Sequence, residues 1–162
     1  MNLITRKILI CLLLTSGACT QIQSQMKEQK NENIVIKTDA EWKAELPENV
    51  YSITRKNGTE PAFHNAFWNY KGHGTYVCYS CGQLLFSSDN KYDSGSGWPS
   101  FYQALDKSAI IEVLDSSLGM LRREVRCSRC NAHLGHLFTD GPDPTGLRYC
   151  INSASMKFEA EK

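Results

Sequence analysis

The chain has 162 residues, room for one core-bearing domain and too few for two ordinary ones. Hydrophobic residues make up 41% of it and charged residues 22%, a globular composition that excludes a wholly disordered chain. The formal charge is +1, and it becomes −1 (16 basic against 17 acidic) once Arg6 and Lys7 in the first 18 residues are set aside. No Lys/Arg-rich run of five to eight residues remains, so no nucleic-acid partner is expected.

Residues 1–18 read as an export signal. Arg6-Lys7 is a short basic region, Ile8–Leu14 is a seven-residue apolar stretch, and Ser16-Gly17-Ala18 are small residues before Cys19. A spanning helix needs about 20 apolar residues, which this segment lacks. A buried N-terminal helix is disfavoured because nothing downstream continues the apolar pattern. Cys19 leaves two routes open. It resembles the lipid-attachment site of bacterial lipoproteins, except that Ser16 stands where that pattern usually has Leu; Ser16 and Ala18 equally suit ordinary signal cleavage. Both routes export the remainder from the bacterial cytoplasm, to the periplasm or to a membrane anchor at Cys19.

Residues 19–37 are mostly Gln, Asn, Lys, Glu and Ser. Such a segment buries too little apolar area to offset ordering entropy, so a flexible tether is expected there. The domain proper is then 38–160. Thr38-Asp39-Ala40-Glu41 is a capping-box pattern followed by Trp42 and Leu46 four apart, which predicts a short helix stopping near Pro47. A second short helix is predicted over Glu48–Arg55. After Gly58, β-rich runs at Thr75–Cys78, Gln83–Phe86, Ala109–Leu114, Glu124–Cys127 and Leu147–Ile151 alternate with Gly, Pro, Asn and Asp. That texture predicts a mainly β domain of antiparallel sheets rather than βαβ units.

Cys78-Tyr79-Ser80-Cys81 and Cys127-Ser128-Arg129-Cys130 are two C-x-x-C pairs. Each can grip one Zn²⁺ at about 2.3 Å per Zn–S bond, and two pairs complete a closed tetrahedron. Gly82 and Asn131, directly after each pair, suit the turn that such a knuckle needs. With 45 residues between Cys81 and Cys127, a compact zinc ribbon is not expected; the metal staples two distant hairpins. A fully thiolate-ligated ion has no open position, so its role is structural. The competing reading is two disulfides, which an oxidising compartment permits. Bridges within C-x-x-C are tight and usually redox-active, and no thioredoxin-like βαβ pattern accompanies them.

Of the seven cysteines, two lie in the first 19 residues and four in the pairs, leaving Cys150. A lone Cys is more often a buried small hydrophobe than a nucleophile. Its neighbours favour the second reading. Arg148 lies two residues away, on the same face of a strand, where its charge favours thiolate; Asn152 and Ser153 are polar. His133 and His136 add two imidazoles just after the second pair, suited to acid–base work. Gly95–Phe101 (GSGWPSF) offers a close backbone approach and Trp98 as a flat apolar wall. Together they describe a thiol enzyme with an apolar substrate pocket.

These motifs resemble the B-type methionine sulfoxide reductases. The matching stretches are Gly58–Phe63, Tyr76–Cys81, Tyr92–Ser94 leading into Gly97–Phe101, Glu124–Phe138, Asp140–Pro142 and Pro144–Ser155, covering roughly 38–160. The resemblance implies two antiparallel sheets with short N-terminal helices, one structural zinc on Cys78, Cys81, Cys127 and Cys130, and no organic cofactor. It implies reduction of the R epimer of methionine sulfoxide, free or in proteins, through Cys150 as nucleophile and a sulfenic acid. His133 and His136 then flank the substrate oxygen, Trp98 meets the methyl group, and Asn152 is a polar partner. Phe138 lines the same pocket, Asp140 orients a histidine, and Arg148 poises the thiol. A thioredoxin-like reductant is implied, and a monomer is expected.

Two departures stand out. Ser96 occupies a position where many relatives have a second Cys, and a hydroxyl cannot form a disulfide, so direct reduction by an external thiol is expected. Asn65–His73 departs from the family wording and receives no assignment. Outside the enzyme class, the alternatives are a zinc-stabilised binding module with Cys150 in its core, and an exported structural domain held by disulfides.

Overall fold

The computed structural model describes residues 34–161, which belong almost wholly to a compact unit beginning at Val35. The expected export signal, Cys19 and most of the expected tether lie outside the described residues. The last tether residues are joined to the domain: Val35 donates its N–H to the Arg129 carbonyl at 2.8 Å, and Lys37 pairs with Glu45. Contacts therefore begin three residues before the expected boundary. No helix among the described residues is long and apolar enough to cross a membrane.

The chain enters through helix α1 (Asp39–Glu45). Thr38 caps it, its hydroxyl accepting from the Glu41 N–H at 3.3 Å while the Glu41 carboxylate accepts from the Thr38 N–H at 2.7 Å. This is the reciprocal arrangement that the T-x-x-E spacing predicts. Pro47 ends that segment and opens α2 (Glu48–Lys56), whose Val50, Tyr51 and Ile53 are buried. Trp42 is also buried, with the Arg55 guanidinium 3.8 Å from its ring centroid, so the two helices clamp one another by cation–π contact.

Nine strands follow, β1 (Gly74–Cys78), β2 (Leu84–Ser87), β3 (Lys91–Tyr92), β4 (Ser100–Phe101), β5 (Ile110–Asp115), β6 (Arg122–Cys127), β7 (His133–Phe138), β8 (Arg148–Ile151) and β9 (Met156–Ala160). They form a three-stranded sheet, β2-β1-β9, and a six-stranded sheet, β3-β4-β8-β7-β6-β5, with every pairing antiparallel. The mainly β class with two antiparallel sheets and two short helices is as the sequence implied. All five predicted runs become strands. The four strands that were not predicted are β3 and β4, only two residues each, β7, whose H-L-G-H breaks the usual apolar alternation, and β9.

The core draws on both sheets. Phe86 of β2 stacks on Phe101 of β4 with centroids 4.4 Å apart and planes 14° apart. Tyr76 of β1 meets the same Phe101 edge-on at 5.0 Å, a favoured offset geometry for aromatic pairs. Leu134, Leu137, Tyr149 and Ile151 complete the layer from β7 and β8.

The other face of the six-stranded sheet carries the polar residues. Directly paired residues share a face, and the register sets Ser100 opposite Cys150, Cys150 opposite His136, and His136 opposite Glu124. Strand alternation alone would send His133 and His136 to opposite faces. A bulge between the Val125–Gly135 and Arg126–His133 pairs inserts Leu134 as an extra residue, and both imidazoles come to one face.

Candidate active site and metal centre

The four cysteines of the two pairs stand at the turns of two hairpins. Cys78 ends β1 and Cys81 follows in the turn to β2, and Cys127 ends β6 and Cys130 follows in the turn to β7. Each turn closes alike: Gly82 N–H reaches the Cys78 carbonyl and Asn131 N–H the Cys127 carbonyl, both at 2.9 Å. Gly82 has φ 72° and Asn131 φ 58°, the left-handed conformation that these residue types tolerate. The pairs meet across the two sheets, with Cys78 Sγ 3.6 Å from Cys130 Sγ and Cys81 Sγ 3.6 Å from Cys127 Sγ. All four sulfurs lie within 4.8 Å of one another.

Those separations exceed the roughly 2.05 Å of a disulfide, and all four thiols are free. They approach the edge of about 3.8 Å for a tetrahedron of sulfurs at Zn–S bond length. Crowding divides the thiols: hydrogen bonding, first with Cys127, pushes Cys78 far up and Cys130 far down. A bound dication offsets the repulsion that four thiolates at this spacing generate. The donor set therefore could hold a zinc, and it could not hold two intra-pair disulfides without moving.

Cys150 occupies a different setting. A pocket of about 140 Å³ joins Cys150 with Trp98, His136, Phe138 and Asn152, adding Thr59 and Arg122. This is well below the ~300–1,000 Å³ of a drug-sized site, and it suits the tip of one side chain. Gly135 makes the strand spacing possible, since a Cβ there would lie 2.0 Å from the Cys150 carbonyl oxygen. Burial pushes the Cys150 thiol above its ordinary value, while the Ser96 hydroxyl and the Arg148 charge pull it down without prevailing. Arg148 thus acts in the expected direction and is outweighed by desolvation.

Three hydroxyls trail away from the thiol. Ser96 Oγ lies 3.8 Å from Cys150 Sγ, Ser94 Oγ 2.8 Å from Ser96 Oγ and 2.7 Å from Ser100 Oγ. Ser100 also donates to the Trp98 carbonyl at 3.2 Å. Ser96, the departure noted in the sequence, is therefore in direct reach of Cys150.

The histidines have separate settings. His136 lines the pocket and its Nε2 donates to Asp115 Oδ2 at 2.8 Å. His133 does not line the pocket; it is buried behind His136, with ring centroids 5.5 Å apart. Its Nδ1 donates to Glu124 Oε1 at 2.7 Å, and Nε2 has no partner among the described residues. Burial holds His133 below the usual histidine range despite Glu124. Burial also works against the Glu124 charge, but Arg126, 2.8 Å away, and His133 outweigh it and keep the carboxyl below its usual range.

Asp140 does not orient a histidine. It pairs with Arg148 through two bonds of 2.8 Å, Nε to Oδ1 and Nη2 to Oδ2, because Arg148 is in register with Phe138 and Asp140 lies just past the end of that strand. Arg148 in turn caps the Phe138 ring at 4.3 Å. Asp115 and Glu124, which take the role expected of Asp140, were not singled out from sequence. The available signal was faint: both sit among charged residues that look solvent-facing until the register is known.

Glu60 was also missed, although it lies in a matching motif. Its carbonyl accepts from Trp98 Nε1 at 3.0 Å, its N–H donates to Asn152 Oδ1 at 3.2 Å, and its carboxylate accepts from the Ser153 and Ala154 N–H groups. One residue thus positions both the apolar wall and Asn152. The unassigned segment contributes as well. Asn65 Nδ2 donates to the Gly97 carbonyl at 2.7 Å, and Asn65 Oδ1 accepts from Ser153 Oγ at 2.7 Å. It ties the Trp98 loop to the turn after Cys150.

A partly buried thiol lies beside an oriented imidazole and an aromatic wall in a small pocket, on a sheet whose far end carries four clustered cysteines, an arrangement suited to thiol chemistry on the tip of one side chain. The SelR domain matches residues 46–160. The peptide methionine sulfoxide reductase MsrB of Acinetobacter baumannii is 59% identical over 128 residues, covering 79% of this chain and 92% of the relative. Its counterparts in Thiobacillus denitrificans and Acinetobacter baylyi are 58% and 57% identical over 122 and 126 residues, 75% and 78% of this chain and 92% and 91% of the relatives. The chain belongs to the SelR-domain family of B-type methionine sulfoxide reductases.

Proposed function

We propose that this chain is a thiol-dependent oxidoreductase that returns the R epimer of methionine sulfoxide to methionine, with Cys150 as nucleophile. The observation that carries the reaction class is the identity of 57–59% to reductases of that name over three quarters of the chain. The residue roles are supported by the Cys150 pocket. Trp98 and Phe138 give the methyl group apolar contact, Asn152 and His136 face the polar sulfinyl end, and Asp115 fixes which nitrogen of His136 carries its proton.

The Cys150 thiolate attacks the sulfoxide sulfur, and His136 in its doubly protonated form, one N–H held by Asp115, delivers its second ring proton to the oxygen directly or through a water. Transfer of the hydroxyl to Cys150 breaks the transient S–S bond, releasing methionine and leaving a sulfenic acid. The two electrons come from Cys150. One external thiol condenses with the sulfenic acid and expels water. A second thiol displaces it and restores Cys150, so the reductant leaves as a disulfide. Ser96 beside Cys150 favours this external route, and a thioredoxin-like dithiol supplies both thiols in one molecule. Cys78, Cys81, Cys127 and Cys130 hold one zinc, which crosslinks the two sheets and takes no part in the reaction.

We also propose that residues 1–18 direct export and that Cys19 is either lipidated or released by ordinary cleavage, supported by sequence pattern alone.

A single-turnover assay with separate R and S epimers of a blocked methionine sulfoxide tests the reaction. The R epimer alone is consumed, and mass spectrometry then finds one added oxygen on Cys150 or its mixed adduct with the reductant. Equal consumption of both epimers overturns the stereochemistry, and a stoichiometric intramolecular disulfide at Cys150 overturns the recycling route. No consumption by folded, metal-loaded protein returns the chain to the binding-module alternative.

A further inference from the structure

A second hollow, of about 490 Å³, lies beside the Cys150 pocket. Its walls include Tyr92, Asp93 and Ser96 from one loop region and Asp140, Pro142 and Arg148 from another, and none of these residues lines the pocket. Two contacts nevertheless join the hollows. Ser96 Oγ is 3.8 Å from Cys150 Sγ, and the Arg148 guanidinium caps the Phe138 ring at 4.3 Å. Cys150 and Phe138 belong to the pocket, Ser96 and Arg148 to the hollow. Register places both on the same face of the six-stranded sheet. Tyr92 pairs with Ser100 and Ser100 with Cys150; Arg148 lies two residues from Cys150 on β8 and pairs with Phe138.

We propose that this hollow is the entrance for the thiol reductant, so that sulfoxide and reductant reach Cys150 from different sides. The inference rests on the reductase reading above and concerns its second half-reaction. The oxygen comes from a sulfoxide held in the pocket, so the Sγ–O bond of the sulfenic acid forms toward the pocket. A thiolate displaces that oxygen in line, from the far side of the bond. The new S–S bond forms as S–O breaks, and the hydroxyl leaves with the thiol's proton as water. An attacker coming through the pocket would meet the hydroxyl first. On the other route Ser96 bridges hollow and sulfur, and its side chain can turn aside about χ1. The ligand is therefore a thiol on a slender arm, either a free thiol or the cysteine of a thioredoxin-like loop. The hollow is polar enough to receive it, and one wall hydroxyl, Tyr92 Oη, is buried without a partner among the described residues.

The test begins with whole protein oxidised by one equivalent of blocked R-methionine sulfoxide and freed of product. Dithiothreitol or a thioredoxin-like protein then restores the thiol, with and without blocked methionine at a concentration that inhibits sulfoxide consumption. Methionine filling the pocket should leave both reductions unchanged. Slower reduction by dithiothreitol would make the pocket the entrance and overturn the proposal, whereas slower reduction by the protein alone would assign the hollow to free thiols. Pro142→Trp and Asp93→Trp crowd the hollow from its two walls, at exposed positions where the fold tolerates change. At least one should slow dithiothreitol reduction on the order of tenfold with single-turnover sulfoxide consumption unchanged. No slowing in either variant, or equal slowing of both half-reactions, would overturn the entrance. Failure of the wild type to consume sulfoxide would overturn the reductase reading, and the entrance with it.

Discussion

The chain uses cysteine in two regions under opposite rules. At the hairpin turns, four thiols sit with cross-pair separations of 3.6 Å and only Cys81 keeps part of its surface in water, so the site is closed. Near the middle of the six-stranded sheet, one thiol borders a pocket of about 140 Å³ and faces groups from several strands. A closed polydentate site is built from two local turns, each complete within a few residues. The open pocket at Cys150 is built from register, since Ser100, Cys150, His136 and Glu124 become neighbours only when β4, β8, β7 and β6 pair correctly.

The largest expected effect breaks the comparison from both ends. Cys150→Ser abolishes turnover, by at least about a thousandfold, and leaves one zinc per chain by elemental analysis. Cys127→Ser removes one of four ligands, and the metal's contribution to folding is on the order of several kcal/mol. It should lose zinc and the cooperative unfolding transition together, and activity only as a consequence. A Cys150→Ser protein that lost its zinc, or a Cys127→Ser protein that stayed folded without metal, would show that the two regions are not independent.

The same contrast explains what the sequence disclosed. The C-x-x-C pairs with Gly82 and Asn131 behind them, and the Thr38–Glu41 capping box, are short-range signals, and each was legible with its partner residues. The helices and the five apolar runs followed for the same reason. Strand β7 was not legible as a strand because its polar face carries two histidines and its bulge at Leu134 breaks the two-residue period. Asp115 and Glu124 lie 21 and 9 residues from the imidazoles they bind, and no spacing rule joins a carboxylate to a histidine across a sheet. The resemblance implied Asp140 for that role, yet strand pairing gave it to Arg148. Asn65 was invisible for a related reason: its partners Gly97 and Ser153 are 32 and 88 residues away.

Asp115 gives the next largest effect and sharpens the contrast, because it acts on the open site alone. Bonds to Ser117, and then to His136 and Arg122, hold its carboxyl well below the ordinary range, so it remains a charged acceptor throughout the working pH. Asp115→Asn retains size and removes the charge that anchors His136 Nε2–H. The expected outcome is a fall in kcat on the order of tenfold, below the roughly hundredfold or more that a general acid itself supplies because only its orienting partner is altered, with a smaller change in KM and with zinc content and unfolding midpoint close to wild type. Since Asp115 also pairs with Arg122, a drop in KM affinity without a fall in kcat would assign it to holding the pocket wall instead of the proton donor.

The smallest expected effect concerns Ser96 and turns on counting protons. The Ser100 hydroxyl has one proton, donated to the Trp98 carbonyl, so toward Ser94 it accepts; Ser94 then accepts from Ser96, and Ser96 from the Cys150 thiol. That polarity suits the neutral thiol. When Cys150 ionises, the chain must reverse, with Ser100 releasing the Trp98 carbonyl and each hydroxyl donating toward sulfur. Only the reversed chain stabilises the thiolate. Because burial holds the Cys150 thiol above its ordinary value, alkylation of Cys150 should accelerate as pH rises toward that raised value. Ser96→Ala removes the donor in contact with sulfur, so the rise should move to still higher pH and the rate at neutral pH should fall about threefold, less than a full hydrogen bond to a charged group is worth because the contact is 3.8 Å long. Ser94→Ala, which leaves Ser96 in contact but without its supporting donor, should shift the profile in the same direction by less. Alkylation followed against pH at the Cys150 peptide separates the cases: an unmoved profile in Ser96→Ala would mean that Arg148 alone offsets the burial, and an equal shift in both variants would mean that the hydroxyls act as one chain.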